Sequence, residues 1–265
     1  MTNLRQRPGR CINVRLYFAY VALLLTVLLS ACQAKSEPPS PTPSLTPFPT
    51  PVPTATAAVS ASPSPTSPTA QNTPAGDPAE YLASGKAHLE AGETAEAISD
   101  LEAAVLLAPE LVEAQFYLGN AYTAVGRLAD AEGRFQAVLE IEPAHLSAHS
   151  NLGVVYLQME RLEEAQAELR AALAIDEADA QVHYLLGVTH VRMGQLEEAR
   201  KWFEQAIVLD SELPEPYFGL GTIYYLTEET EKAIEAFETF LDKGPAQDPA
   251  AEEEARRILA VLKAQ

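Results

Sequence analysis

Gly126-Arg127-Leu128-Ala129-Asp130-Ala131 returns 34 residues later as Glu160-Arg161-Leu162-Glu163-Glu164-Ala165, and again after 34 as Gly194-Gln195-Leu196-Glu197-Glu198-Ala199. A period of that size marks an array of supersecondary units rather than one irregular domain. Two further columns keep the spacing over a longer stretch: Gly85, Gly119, Gly153, Gly187, Gly221 and Ala97, Ala131, Ala165, Ala199, Ala233. Five copies therefore stand in register without an insertion.

Each copy carries helical periodicity twice. In the second copy Gln115, Leu118, Gly119 and Tyr122 share one face at i, i+3, i+4 and i+7. A turn is predicted at Gly126, then a second helix with Ala131, Phe135, Val138 and Leu139 on its apolar face. Glycine costs about 1 kcal/mol inside a helix, so a glycine column needs a packing reason, and close approach of two helices supplies one. Pro109, Pro143 and Pro245 punctuate the ends of second helices, with Glu177 and Ser211 taking that place in two copies. Asp248-Pro249 then reads as an N-cap followed by a first-turn proline. Ala255, Ile258, Leu259 and Leu262 form an apolar stripe beyond it. The last unit of a solenoid leaves an apolar face bare, and this helix is expected to cover it.

The pattern resembles the tetratricopeptide repeat over about residues 78–247. The signature stands as Tyr117-Leu118-Gly119 with Tyr122, as Asn151-Leu152-Gly153 with Tyr156, and as Tyr217, Leu220-Gly221, Tyr224, Ala233 and Phe237. The first copy departs from it at Ser84, His88 and Leu101, as terminal repeats often do. The resemblance implies an all-α fold, a right-handed superhelical solenoid of five helix pairs (78–111, 112–145, 146–179, 180–213 and 214–247), with a capping helix over 248–265. It also implies that the first helix of each pair lines a concave groove.

The helical wheel sets Glu113, Phe116, Asn120 and Thr123 opposite the core face of the second copy. Extended along the chain, the candidate groove residues are Lys86, Phe116, Asn120, Asn151, Tyr184, Arg192, Phe218 and Tyr225. Aromatic rings at intervals among amide and cationic groups suit an extended peptide or a helix, so a protein or peptide partner is expected in the groove. The alternative is that the rings extend packing between repeats. The paired Lys, Asn and Arg set of chaperone-binding members of the family is not reproduced.

Ahead of the repeats, Arg5, Arg7, Arg10 and Arg15 precede an almost wholly apolar run from Leu16 to Ala31, the pattern of a secretory signal. The run is slightly short for a comfortable membrane span. Leu29-Ser30-Ala31-Cys32 resembles the bacterial lipobox. That resemblance implies a signal peptide over 1–31, a lipid on Cys32 and anchorage at the extracytoplasmic face of the cell membrane. The alternative is a signal-anchor helix. Residues 32–77 are rich in Pro, Ser and Thr, as in Pro38-Pro39-Ser40-Pro41-Thr42-Pro43, and read as a linker biased to extended polyproline II.

From residue 78 onward the chain holds 13 Lys and Arg against 35 Asp and Glu, a surface that repels phosphate backbones, so no nucleic-acid partner is expected. Both cysteines, Cys11 and Cys32, precede the repeats, which therefore have neither a disulfide framework nor a cysteine metal site. His88 and His190 stand in the column of Tyr122, Tyr156 and Tyr224, and His149 and His183 in that of Tyr81 and Tyr217. They read as packing groups. With no Gly-rich phosphate loop and no nucleophile elbow, neither an enzyme nor a cofactor is expected. The expected function is a protein–protein scaffold, in envelope or appendage assembly. The competing class is a non-catalytic receptor for a small ligand such as a glycan or metal.

Overall fold

The structure, a computed structural model, describes residues 74–244 and 249–264. The lipobox, Cys32 and the proline-rich stretch up to residue 73 lie outside the described residues, as do Pro245 and Asp248. Among the described residues the regular structure is α-helical throughout. The helices are α1 Pro78–Ala91, α2 Thr94–Leu107, α3 Val112–Ala124, α4 Leu128–Ile141, α5 Leu146–Gln158, α6 Leu162–Ile175, α7 Ala180–Arg192, α8 Leu196–Leu209, α9 Glu215–Leu226, α10 Thr230–Asp242 and α11 Pro249–Leu262. They form a right-handed solenoid of five pairs, and α11 packs on the last.

One turn chemistry closes all five pairs. The backbone N–H groups of Glu93, Arg127, Arg161, Gln195 and Glu229 reach five residues back to the carbonyls of His88, Tyr122, Tyr156, His190 and Tyr224. This is the bond that ends a helix when the residue before the donor turns left-handed. Gly92, Gly126 and Gly194 supply that conformation at φ 78°, 75° and 74°. Glu160 and Glu228 adopt it at φ 60° and 62°, where a Cβ is strained.

The second glycine column is about contact. A Cβ added at Gly85 would lie 2.7 Å from Leu101 Cγ, at Gly119 2.8 Å from Phe135, at Gly153 2.7 Å from Leu169 Cγ, and at Gly221 2.9 Å from Phe237. Gly187 meets Phe203 in the same way. One large side chain of each second helix thus presses on the bare backbone of its own first helix. The alanine column is 0% exposed at all five positions, so it marks the other side of the same close seam.

Consecutive first helices touch one another (α1 with α3, and so on to α7 with α9), whereas second helices make no comparable contact with each other. First helices therefore lie on the inside of the curve. Repeats are also stitched by polar groups. The Tyr122 hydroxyl donates to Glu102 of the preceding repeat at 2.6 Å, and the Arg127 guanidinium lies 4.1 Å above the tyrosine ring. Burial, then the hydrogen bond to Glu102, pushes the Tyr122 phenol up to about 12. One repeat on, Tyr156 donates to Glu132 at 3.0 Å and Arg161 covers its ring at 4.3 Å.

A third column explains why histidine and glutamine can replace an aromatic. Tyr81, Gln115, His149 and Tyr217 each bond the carbonyl six residues earlier, that of Ala75, Pro109, Pro143 and Ser211, at 3.4, 2.8, 3.0 and 3.2 Å. What the position requires is a polar edge at that reach. His190, in the neighbouring column, stacks on Trp202 and is held by Gln166 and Gln195. At the C-terminal end Ala255, Ile258, Leu259 and Leu262 of α11 bury themselves with Phe218, Phe237 and Phe240. They close the last repeat.

Candidate binding groove

The inner face is built by α1, α3, α5, α7 and α9, and the candidate side chains project from them. Lys86 pairs with Glu113 of the next repeat at 2.6 Å and lies 4.9 Å over the Tyr117 ring. The hydrogen bond from Lys86 to Glu113 holds the ammonium above its usual range. Asn151 Nδ2 donates to Asn120 Oδ1 at 2.7 Å. The Asn120 Nδ2 is buried and, among the described residues, meets no hydrogen-bond acceptor. Arg192 donates to the Leu157 carbonyl at 2.7 Å and pairs with Glu160. Tyr225 is half-buried and packs with the C-terminal cluster.

Three rings require a correction. From the helical wheel Phe116, Tyr184 and Phe218 are expected to stand exposed at intervals. They are buried, at 6%, 3% and 4% exposure. Phe116 sits edge-on to Phe135 at 6.0 Å and against His145 at 5.1 Å, Tyr184 lies 5.9 Å from Phe203, and Phe218 lies 5.6 Å from Phe237. The physical reason is that a solenoid helix has packed neighbours on two flanks, so the face opposite its core stripe is not open water. α5 and α7 show this most strongly, with nine buried residues each. These rings are buried packing between helices, the alternative the sequence also allowed, and not free-standing anchors.

The polar candidates are brought together in pairs across repeat boundaries: Lys86 with Glu113, Asn120 with Asn151, Arg192 with Leu157 and Glu160. Asn151, at 6% exposure, and the Arg192 side chain, at 5%, are as buried as the rings and are not open to a partner. They link neighbouring first helices instead. Sequence reasoning missed Glu113 and Glu160 as the counterparts of Lys86 and Arg192. The signal available was complementary charge one repeat away. Chemically the arrangement holds a curved surface in fixed register, with half-buried Thr123 and Tyr225 on it. Among the described residues no cluster of three or more His, Cys, Asp or Glu is placed to hold a metal ion. No described helix is long and apolar enough to cross a membrane.

Comparison with known proteins agrees with this geometry. Family models described as tetratricopeptide repeat match residues 82–145, 124–188 and 156–207, and one described as TPR repeat matches 191–228. Among solved structures the chain is similar to MamA (41 to end) from Desulfovibrio magneticus RS-1, with 27% identity over 65% of this chain and 98% of that one, at a TM-score of 0.58. It is similar to Pseudomonas aeruginosa PilF at 20% identity, 70% and 88% coverage and a TM-score of 0.58. A thermophilic TPR protein of Thermus thermophilus matches at 20% identity, 71% and 100% coverage and a TM-score of 0.57. The latter two likenesses are of fold alone. A search of curated protein sequences found no match.

Proposed function

We propose that this chain, which belongs to the tetratricopeptide-repeat family, is a lipid-anchored scaffold that holds a protein-binding solenoid away from the extracytoplasmic face of a membrane. The family and the fold make it a protein–protein interaction scaffold. The observation that carries the reading is the unbroken run of five pairs stitched edge to edge, since a surface held in register can present many weak contacts at once. A partner lying along the first helices, as an extended peptide or a helix, would meet Lys86, Asn120, Thr123 and Tyr225, while the buried Asn151, Arg192, Phe116, Tyr184 and Phe218 hold those helices in place.

The anchor rests on Leu29-Ser30-Ala31-Cys32 and the proline-rich stretch behind it. Acyl chains on Cys32 would hold the protein by burying methylenes, each contributing about 0.8 kcal/mol. Such a tether fits work at the cell envelope, in the assembly of envelope or appendage structures. The test is fatty-acid labelling of cells making the parent or Cys32→Ser. Label and loss of residues 1–31 in the parent only are expected. A mature protein that keeps Met1 through Ala31 contradicts the anchor, and an anchored protein with no crosslinked partner contradicts the scaffold.

A further inference from the structure

A ring fills the column discussed above in four repeats, as Tyr81, His149, His183 and Tyr217, whereas the second repeat has Gln115. The glutamine keeps the polar task of the column, donating to the Pro109 carbonyl at 2.8 Å. It lacks the bulk of a ring. A cleft of about 460 Å³ opens at this place, walled by Val105, Leu106 and Pro109 of the first repeat and by Leu118 of α3. That volume lies within the usual range for a small-molecule site. It is on the flank of the second helices, away from the groove of the proposed function.

Charge narrows the occupant. Arg134 of α4 lines the cleft and donates to Gln115 Oε1 at 3.0 Å. Among the described residues it forms no ion pair, in a chain where acids far outnumber bases. The two carboxylates that also line the cleft share Arg127, which lies 2.7 Å from Asp130 and 3.6 Å from Glu102, and Glu102 also accepts from the Tyr122 hydroxyl at 2.6 Å. Of the three charged groups lining the cleft, the half-buried Arg134 guanidinium alone has no ion-pair partner among the described residues; its fork matches a carboxylate and its plane stacks on an aromatic ring. In the third and fourth repeats the place of Arg134 serves the resident ring directly: Glu168 bonds His149 at 2.7 Å, and Trp202 packs 5.5 Å from His183. In the second repeat Arg134 serves Gln115 in that way, and the ring itself is missing.

We propose that this cleft is a second binding site, for a ligand that carries an aromatic ring and a carboxylate: a free aromatic acid, or the C-terminal aromatic residue of another chain. The ring takes the place vacated in the column, and the carboxylate meets Arg134. The test is calorimetric titration of the full-length chain with N-acetylphenylalanine, its amide, phenethylamine, and a short acetylated peptide ending in phenylalanine. The acid is expected to bind at least about tenfold more tightly than the amide or the amine. A peptide that binds tighter still identifies a chain terminus as the source, and a weaker one identifies the free acid. Gln115→Tyr restores the ring that Tyr81 and Tyr217 already supply, and is expected to abolish binding with no fall in the unfolding midpoint. Arg134→Gln should weaken the acid about tenfold and leave the amide unchanged. Equal binding of acid and amine, or undiminished binding by Gln115→Tyr, would overturn the proposal.

Discussion

Gly153→Ala and Gly133→Ala make the same chemical change in two helices of one chain, and the structure assigns them opposite signs. In a helix interior the exchange by itself stabilises by about 1 kcal/mol. At Gly133, within α4, an added Cβ has nothing within 4 Å, so most of that gain should appear, about 0.5–1 kcal/mol. At Gly153 the new methyl would sit 2.7 Å from Leu169 Cγ and 2.9 Å from Cδ2, where ordinary contact is 3.4–4 Å. Leu169 is 0% exposed, so it cannot swing out into solvent to relieve the contact. Overpacking of this kind costs about 1–3 kcal/mol, which set against the propensity gain leaves a net loss of up to about 2 kcal/mol. With a urea slope of about 2 kcal/mol/M the midpoint should fall by up to about 1 M for Gly153→Ala and rise by about 0.3–0.5 M for Gly133→Ala. Circular dichroism during urea unfolding reads both. Trimming the neighbour in Gly153→Ala/Leu169→Val should recover part of the loss, a coupling that a double-mutant cycle isolates. If both alanines stabilise equally, the glycine column is not a seam of close approach and this account of the pairing is wrong.

Glu228→Gly should raise stability by about 0.5–1 kcal/mol, because relief of the left-handed strain exceeds the added chain entropy. The gain at Glu160→Gly should be smaller, since that glutamate also pairs with Arg192. Tyr122 carries a folded-state pKa raised to about 12 against 10.0, so its contribution is complete below pH 10 and lost as pH climbs towards 12. That loss amounts to as much as about 2–3 kcal/mol, and thermal melts of Tyr122→Phe should decline less over the same window. Phe116→Ala should cost about 3–5 kcal/mol in chemical unfolding, the penalty of a core ring. An unchanged midpoint would return Phe116 to the exposed surface.

The fold was legible because each structural requirement recurs every 34 residues: a small residue at the seam, a left-handed turn, a large side chain opposite. Gly119 and Phe135 fall on the apolar faces of the two helices of one repeat, and the structure makes them packing partners. The inner surface was less legible. One helical wheel separates a core face from its opposite, but it contains no information about the neighbouring repeat, so Phe116 and Phe218 read as outward rings. Asn120 and Arg192 read as free recognition groups for the same reason, although Asn151 and Glu160 lie one repeat away. The cleft beside Gln115 was hidden differently. Gln115 sits correctly on the core face, and only its hydrogen bond to Pro109 and its lack of a ring, set beside Tyr81 and Tyr217, reveal the space.

The central claim is that the inside of the curve is where a protein partner lies. Site-specific photocrosslinking tests it in cells, with a photoreactive residue placed at Thr123 or Tyr225 on first helices and at Glu140 or Glu204 on second helices. The account predicts one common crosslinked protein from Thr123 and Tyr225, absent from the other two sites. Crosslinks from Glu140 and Glu204 alone would contradict it and place recognition on the outer face.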